Sequence, residues 1–574
     1  MKNPTVCQGQ LSCPASHRVH FLCEFSGSMA RDYAGWDYKQ TNLSLNLTKH
    51  FQDCIAQEAE VSDDSKLAFQ DRVSKCLATL QDSHLLFYGS ARGGSVFVPF
   101  QMKKIQDQYY VSFRWNSLMD EVPSDAHDQE SLLPLGAKIV SIDGQTPEEL
   151  SQTLQTYIPA SSSSAREYKA TLAMTLRNFF FPQRSTMNVE WEIDSQRYQT
   201  TLPWLMDQRI LVIPEMKQYV QEFGLQTISL TSENNKWSGY FNEVPIFRDQ
   251  VWLSTDQKNS GLVLALAQVD FTAQADLAYY QAGKTQLDGS EPTKFCYLKI
   301  STFGQEYVFD RKYPLDEKHM IEPILDLLET CEKDKLPLFL DLRGNQGGKM
   351  YLPSLLARYL IPGYQSMQGS AAAFSVRPKH FWENQSKMET WTPALASMVD
   401  GPMPHGFDHV FSQAASQVKL YSDFLDADRA LQETLSKNSP WKDVLFSQKL
   451  VVLSDGGCVS ACDHMLNLLH DWNRATFLGE QPAGTGLGAG YPWKGPWGEY
   501  TIEIPIFLFG TADRDVLFAG ASYQDHGSSI CTENRPVPMD RSFDLNPWVF
   551  SASNFTDFLQ EQVYVEMARE WIAK

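Results

Sequence analysis

Residues 451–472 read VVLSDGGCVSACDHMLNLLHDW. An apolar run ends in Asp455-Gly456-Gly457, and a helical pattern starts within three residues. Cys462, Met465, Leu466, Leu469 and Trp472 recur at helical spacing and make the apolar stripe. The order is strand, tight turn, helix. Ser460, His464, Asn467 and Asp471 fall on another face, with Ser460 in the first helical turn. A serine there stands at the carboxyl end of a buried strand, where open α/β sheets place their sites. Unsatisfied backbone N–H groups in that turn favour negative charge, which suits an oxyanion forming beside the serine. The placement is analogous to a nucleophile elbow, although GxSxG is absent. Serine is also a favoured N-cap, so spacing alone leaves a capping role and a nucleophilic role both open.

Working outward, FLDLRGNQGG (339–348) repeats the scheme, a buried strand running into a glycine-rich turn and then a helix. Gly344, Gly347 and Gly348 let the backbone approach a ligand and aim N–H groups at it. CYLKIS (296–301) and KLVVLS (449–454) are further strands, and EKHMIEPILDLLETCE and YLPSLLARYL are amphipathic helices between them. Continuous apolar strands alternating with helices predict an open, mostly parallel α/β sheet over 291–574, with an insertion at 365–445. Upstream, residues 1–93 read as helical, with Leu43, Leu47, Phe51, Cys54 and Ile55 at helical spacing. Residues 94–204 change to short alternating strands such as SVFVPF, and LGAKIVSIDGQTPEEL reads strand, Asp-Gly turn, helix. Residues 205–290 are polar and mixed and read as a second insertion.

Composition narrows the function classes. The 574 residues exceed one hydrophobic core and predict several domains. With 49 Lys+Arg against 69 Asp+Glu, the net charge of −20 disfavours nucleic-acid phosphates and anionic lipid as partners. No apolar stretch is long enough to span a membrane as a helix. No signal peptide is visible in the first residues, yet Cys7, Cys13, Cys23, Cys54 and Cys76 crowd the N-terminal region. That usage predicts secretion or a periplasmic location, and sequons at Asn42, Asn46, Asn384 and Asn554 would matter only in a eukaryotic secretory route. HGFDH (405–409) is a poor metal pair because Gly406 and Pro404 oppose a helix, and no Walker loop follows a strand. Cys458 and Cys462 are expected as buried helix-packing thiols.

Taken together, LQDSHLLFY (80–88), LGAKIVSIDG (135–144), FCYLKISTFG (295–304), LDLRGNQGG (340–348), GGCVSACDHM (456–465) and RATFLGEQPAGTG (474–486) resemble the S41 serine peptidases, in that family's order. The resemblance implies a ClpP/crotonase-like α/β catalytic core, an N-terminal helical bundle (1–93) and a PDZ-like domain (94–204). It makes Ser460 the nucleophile and assigns the oxyanion hole to backbone N–H groups at Gly347 or Gly348 and Ala461. One branch uses a lysine about 25 residues after the serine. Here that position is Thr485, and the nearest downstream lysine is Lys494. The other branch, resembling tricorn and the chlamydial protease-like activity factor, uses Ser–His–Glu. It implies His84 as base and Glu533 in TENRP as the carboxylate orienting it, with Glu480, Glu499, Asp463 and His464 as rivals. Histidine suits the task, since it titrates near neutrality and can return the proton to the leaving amine. The implied activity is hydrolysis of a polypeptide substrate through an acyl-enzyme, with no metal or cofactor. Self-processing and a homodimer are further implications. A ligand-binding module on the same fold, without catalysis, is the competing expectation.

Overall fold

The structure is a computed structural model, and it describes residues 14–33, 35–63, 65–85, 87–88, 96–105, 107–114, 133–134, 136–193, 195–208, 211, 214–228, 267–268, 296–300, 303, 317–348, 351–362, 445–494, 501–508 and 533–540. The insertion expected at 365–445 (save Leu445), HGFDH, Asn384, Asn554, Glu499, Cys7, Cys13 and most of 205–290 lie outside the described residues.

The chain starts with helices α1 (Ala15–Asp32), α2 (Trp36–Asn42), α3 (Leu47–Glu60) and α4 (Lys66–Ala78). Asn46 caps α3 by accepting from Lys49 N, and Ser65 caps α4 by accepting from Ala68 N. Their apolar stripes meet in a cluster of Phe21, Phe25, Phe51, Phe69, Val73 and Leu77. After the short strands β1 (Phe87–Tyr88) and β2 (Val96–Phe97) come β3 (Phe100–Ile105), β4 (Gln108–Arg114) and β5 (Lys138–Ile142). Helices α5 (Pro147–Gln155) and α6 (Ser163–Thr175), then β6 (Leu176–Arg177), β7 (Thr186–Ile193) and β8 (Gln196–Pro203), complete this part. The five strands β3, β4, β5, β7 and β8 form an antiparallel sheet in that order. Alternation along β7 buries Met187, Val189 and Trp191, as a sheet with one covered face requires. The Asp-Gly turn read from the sequence is real: Asp143 and Gly144 have φ of 54° and 82°, and Thr146 and Glu149 then cap α5 reciprocally.

Strands β9 (Leu205–Asp207) and β10 (Gln226–Ile228) flank α7 (Pro214–Phe223). Because β9 pairs with β2, a small sheet crosses the boundary expected at 204/205.

The α/β part is built on β11 (Ala267–Gln268), β12 (Cys296–Lys299), α8 (Glu317–Lys333), β13 (Leu338–Asp341), α9 (Tyr351–Leu360), β14 (Leu450–Ser454), α10 (Ala461–Asp471) and β15 (Thr476–Gly479). Strands β12 to β15 are parallel and adjacent, with β11 antiparallel at the edge. Every residue of β13 and β14 is buried, which explains their unbroken apolar runs. The mixed α/β architecture expected from the alternation is therefore present. Trp472, expected on the stripe of α10, is instead its C-cap and 42% exposed, because the helix stops at Asp471. Hairpin β16 (Leu487–Lys494) and β17 (Thr501–Leu508) leaves this core and packs Leu487, Trp493, Ile502 and Ile504 into the N-terminal helical cluster.

Three disulfides join described residues: Cys54–Cys76, Cys296–Cys331 and Cys458–Cys462. The last corrects the expectation of packing thiols. The turn before α10 brings the two Cα atoms to 5.3 Å, within bridging range.

Candidate active site

Ser460 sits where β14 has turned into α10, with φ 62° and ψ −116°. A residue with a side chain pays about 1–3 kcal/mol for such a conformation and keeps it only when its surroundings enforce it. They do. Ser460 N donates to Asp463 Oδ2 at 3.0 Å, and Ser460 O accepts from His464 N at 3.0 Å. Asp463 Oδ1 accepts from Gly484 N at 2.8 Å, tying in the loop that leads to β16. Burial pushes the Asp463 carboxyl up to about 7, against the pull of the Gly484, Thr485 and Ser460 N–H groups. This conformation is not the extended one of an ordinary N-cap.

The two glycine-rich turns are locked together. Asp455 Oδ1 accepts from Gly344 N and Gly457 N, both at 2.9 Å, and Val459 N donates to Asn345 O at 3.0 Å. Gly347, at φ 86°, packs against Ser460: a Cβ there would lie 2.4 Å from Val459 O and 2.8 Å from Ser460 Cβ. The Gly347 N–H donates to Asn345 Oδ1 at 2.8 Å, so this amide is already engaged. The Ala461 N–H, first in α10, has no hydrogen-bond partner among the described residues, and exposed Gly348 lies on the same turn at φ 138°.

His84 lies in the turn after α4. Its N–H donates to Asp82 Oδ1 at 2.9 Å, and Asp82 Oδ2 accepts from Tyr33 Oη at 2.9 Å. Burial pushes the imidazole pKa down to about 4, with Glu533 opposing and Lys169 assisting. The ring is therefore neutral at neutral pH. Its Nδ1 is buried without a hydrogen-bond partner, and no hydrogen bond joins the ring to Ser460 or Glu533.

Glu533 is fully buried beside these elements. Its Oε1 accepts from Lys39 Nζ at 2.6 Å and Ser161 Oγ at 2.9 Å, and its Oε2 from Gly486 N at 2.6 Å and Leu487 N at 3.1 Å. Tyr38 Oη donates to its carbonyl. Burial raises its carboxyl above the usual range, while Lys39 pulls it back. Helix α6 closes the arrangement: Ser162 Oγ and Ser164 Oγ donate to Pro482 O and Gln481 O, and Tyr168 covers Gly457.

His84 and Glu533, 449 positions apart in sequence, are close enough for the Glu533 charge to act on the imidazole, and Ser460 stands on the separate turn between β14 and α10. Of the rivals, Asp463 is committed to the Ser460 backbone, and His464 is carried on α10 with its pKa lowered to about 4 by burial. Thr485, standing where a lysine would serve the other branch, is buried beside Asp463; Lys494 ends β16. Lys39, Asp82 and Ser161 were not singled out from the sequence. Only Asp82 left a local signal, an Asp two residues before the histidine whose N–H it accepts.

Residues 294–491 match the model of peptidase family S41. The chain carries an S41 family peptidase domain. That domain spans β12 to the first part of β16, including Ser460. Among solved structures, mature CPAF complexed with lactacystin is 12% identical with a TM-score of 0.58, covering 97% of this chain and 99% of that one. Mature CPAF alone is 14% identical, also with a TM-score of 0.58, covering 97% and 98%. At such identities the likeness is one of fold. No curated protein matches the chain. Among the described residues, no helix is long and apolar enough to cross a membrane.

Proposed function

We propose that the protein is a serine endopeptidase in which Ser460 attacks the scissile carbonyl, His84 takes its proton, and Glu533 stabilises the imidazolium that results. The observation that carries this reading is Ser460, held at positive φ at the end of a central parallel strand by contacts from two separate turns. The N–H groups of Ala461 and Gly348 receive the oxyanion, since that of Gly347 is engaged. Collapse of the tetrahedral adduct breaks the C–N bond, and His84 gives its proton to the leaving amine. Water then repeats the cycle on the acyl-enzyme. The His84 ring has no hydrogen bond to Ser460 or Glu533, so these contacts tighten when substrate fills the site.

The substrate is a polypeptide. The helical part over 1–93 carries the base, the sheet over 94–204 acts as a PDZ-like module, and the segments at 205–290 and 365–445 are places for regulation and self-processing. Pairing of Cys54–Cys76 and Cys296–Cys331 supports a secreted or periplasmic location. A homodimer is part of the same reading.

A fluorophosphonate probe tests it. Folded protein is expected to be labelled, labelling and peptide hydrolysis should both vanish in Ser460→Ala, and His84→Ala should lower hydrolysis by about 10³-fold or more. Absence of labelling in folded protein would replace this reading with a ligand-binding module.

A further inference from the structure

Lys39 arrives on α2, from the opposite end of the sequence to Glu533, and is 0% exposed. Its Nζ donates to Gln81 O at 2.7 Å, Glu533 Oε1 at 2.6 Å and Asn534 Oδ1 at 2.7 Å. All three ammonium donors are thereby used. Gln81 begins the turn that carries His84, and Glu533-Asn534 is the turn that supplies the carboxylate. Asn534 Nδ2 strengthens the same junction by donating to Gln81 O at 2.9 Å and Ser161 O at 2.6 Å.

We propose that Lys39 is a positioning residue: its ammonium group locks the His84 turn to the Glu533 turn and keeps the Glu533 carboxylate ionised. The proposal rests on the Ser460–His84–Glu533 reading.

Ser161 Oγ and the N–H groups of Gly486 and Leu487, which also donate to this carboxylate, are neutral. Other charged or titratable groups facing it are Tyr38 on α2, whose Oη donates to the Glu533 carbonyl, Asp82 and His84 on the turn after α4, and Lys169 on α6. Asp82 repels a second negative charge, His84 is neutral at rest, and Lys169 acts without a hydrogen bond to it. Lys39 is a cation in direct contact with it. Only the ionised carboxylate can stabilise the imidazolium formed when His84 takes the Ser460 proton. Burial already raises the Glu533 carboxyl, and taking away Lys39 raises it further. The form that supports catalysis then exists only at higher pH.

The test is the pH profile of kcat in Lys39→Met and Lys39→Gln, the second keeping hydrogen-bonding groups without the charge. The acidic limb should move up by about one to two pH units. That corresponds to about a 10- to 100-fold loss at neutral pH, recovered as pH rises, with KM changed much less. A merely structural lysine would lower activity without moving the limb. Glu533→Gln, with no carboxyl to titrate, should be slow without alkaline recovery, and adding Lys39→Met to it should shift no limb of its pH profile. Wild-type labelling at Ser460 and its dependence on His84 check the functional reading separately. If those hold and the folded Lys39 variants keep the wild-type limb, the proposal is overturned. It is equally overturned if neither variant folds, because Lys39 then serves stability alone.

Discussion

Gly347 shows how little room surrounds Ser460. Its backbone touches Val459, Ser460 and Ala461 so closely that a single added carbon would lie 2.9 Å from Ala461 N and closer still to the other two. Two of these neighbours are backbone atoms, which cannot swing aside as a side chain would. Gly347→Ala also meets the φ of 86° that disfavours any side chain. Overpacking of this kind costs about 1–3 kcal/mol, and the strain falls on the turn that fixes Ser460. Gly347→Ala should therefore lower probe labelling of Ser460 by about a hundredfold or more while leaving most of the protein folded. Labelling at the wild-type rate, followed beside a thermal melt, would show that the close approach does not matter. Residues of this type are legible in the sequence, since glycines after an apolar strand announce a turn that something must approach. Lys39 is not. A lysine on a short helix reads as a solvated charge, and no local pattern says that a carboxylate 494 positions later covers it.

Among the elements, β13 and β14 were the easiest to read, because burial on both faces forces the unbroken runs LFLD and LVVLS. The turn that follows β14 was read correctly in position but not in oxidation state. Spacing of four predicts that Cys458 and Cys462 lie near each other, and says nothing about whether they are bonded. The Cys458–Cys462 bond closes a short loop with Ser460 at its centre and both sulfur-bearing residues at 0% exposure. Loop-closure entropy for about five residues amounts to about 2 kcal/mol. That constraint acts on the segment whose conformation Ser460 needs. The double variant Cys458→Ala/Cys462→Ala is expected to lower kcat by about tenfold; a thiol reductant is expected to lower wild-type activity and to leave that of the double variant unchanged. Equal activity of wild type and variant under oxidising conditions would refute the link between this bond and the nucleophile.

Across the whole molecule, the site is an assembly of distant parts. The parallel sheet presents Ser460, while α2 carries Lys39 and the turn after α4 carries His84, and a hydrophobic junction holds these helices against the hairpin beside the Lys39 and Tyr38 hydrogen bonds to Glu533. Trp493 of β16 lies 5.1 Å from Phe21 and 5.3 Å from Phe25, ring centre to ring centre, and is 7% exposed. Phe25 in turn meets Phe51, which stacks on Trp36 at the start of α2 with 6.0 Å between centroids. Removing a buried tryptophan costs about 3–5 kcal/mol, and here the loss is concentrated between the N-terminal helices and the hairpin. Trp493→Ala touches no residue of the site, yet it should loosen the support of Lys39 and the His84 turn. Hydrolysis is then expected to fall by about tenfold or more, with protection from amide exchange lost in α1 to α4 and kept in β12 to β15. If exchange loosens in those helices while hydrolysis is unchanged, the site does not depend on their docking. The sequence could be read for the helices and for the hairpin separately. It could not be read for their contact, because the two aromatic faces are more than 400 residues apart and each is amphipathic enough to have covered a different partner.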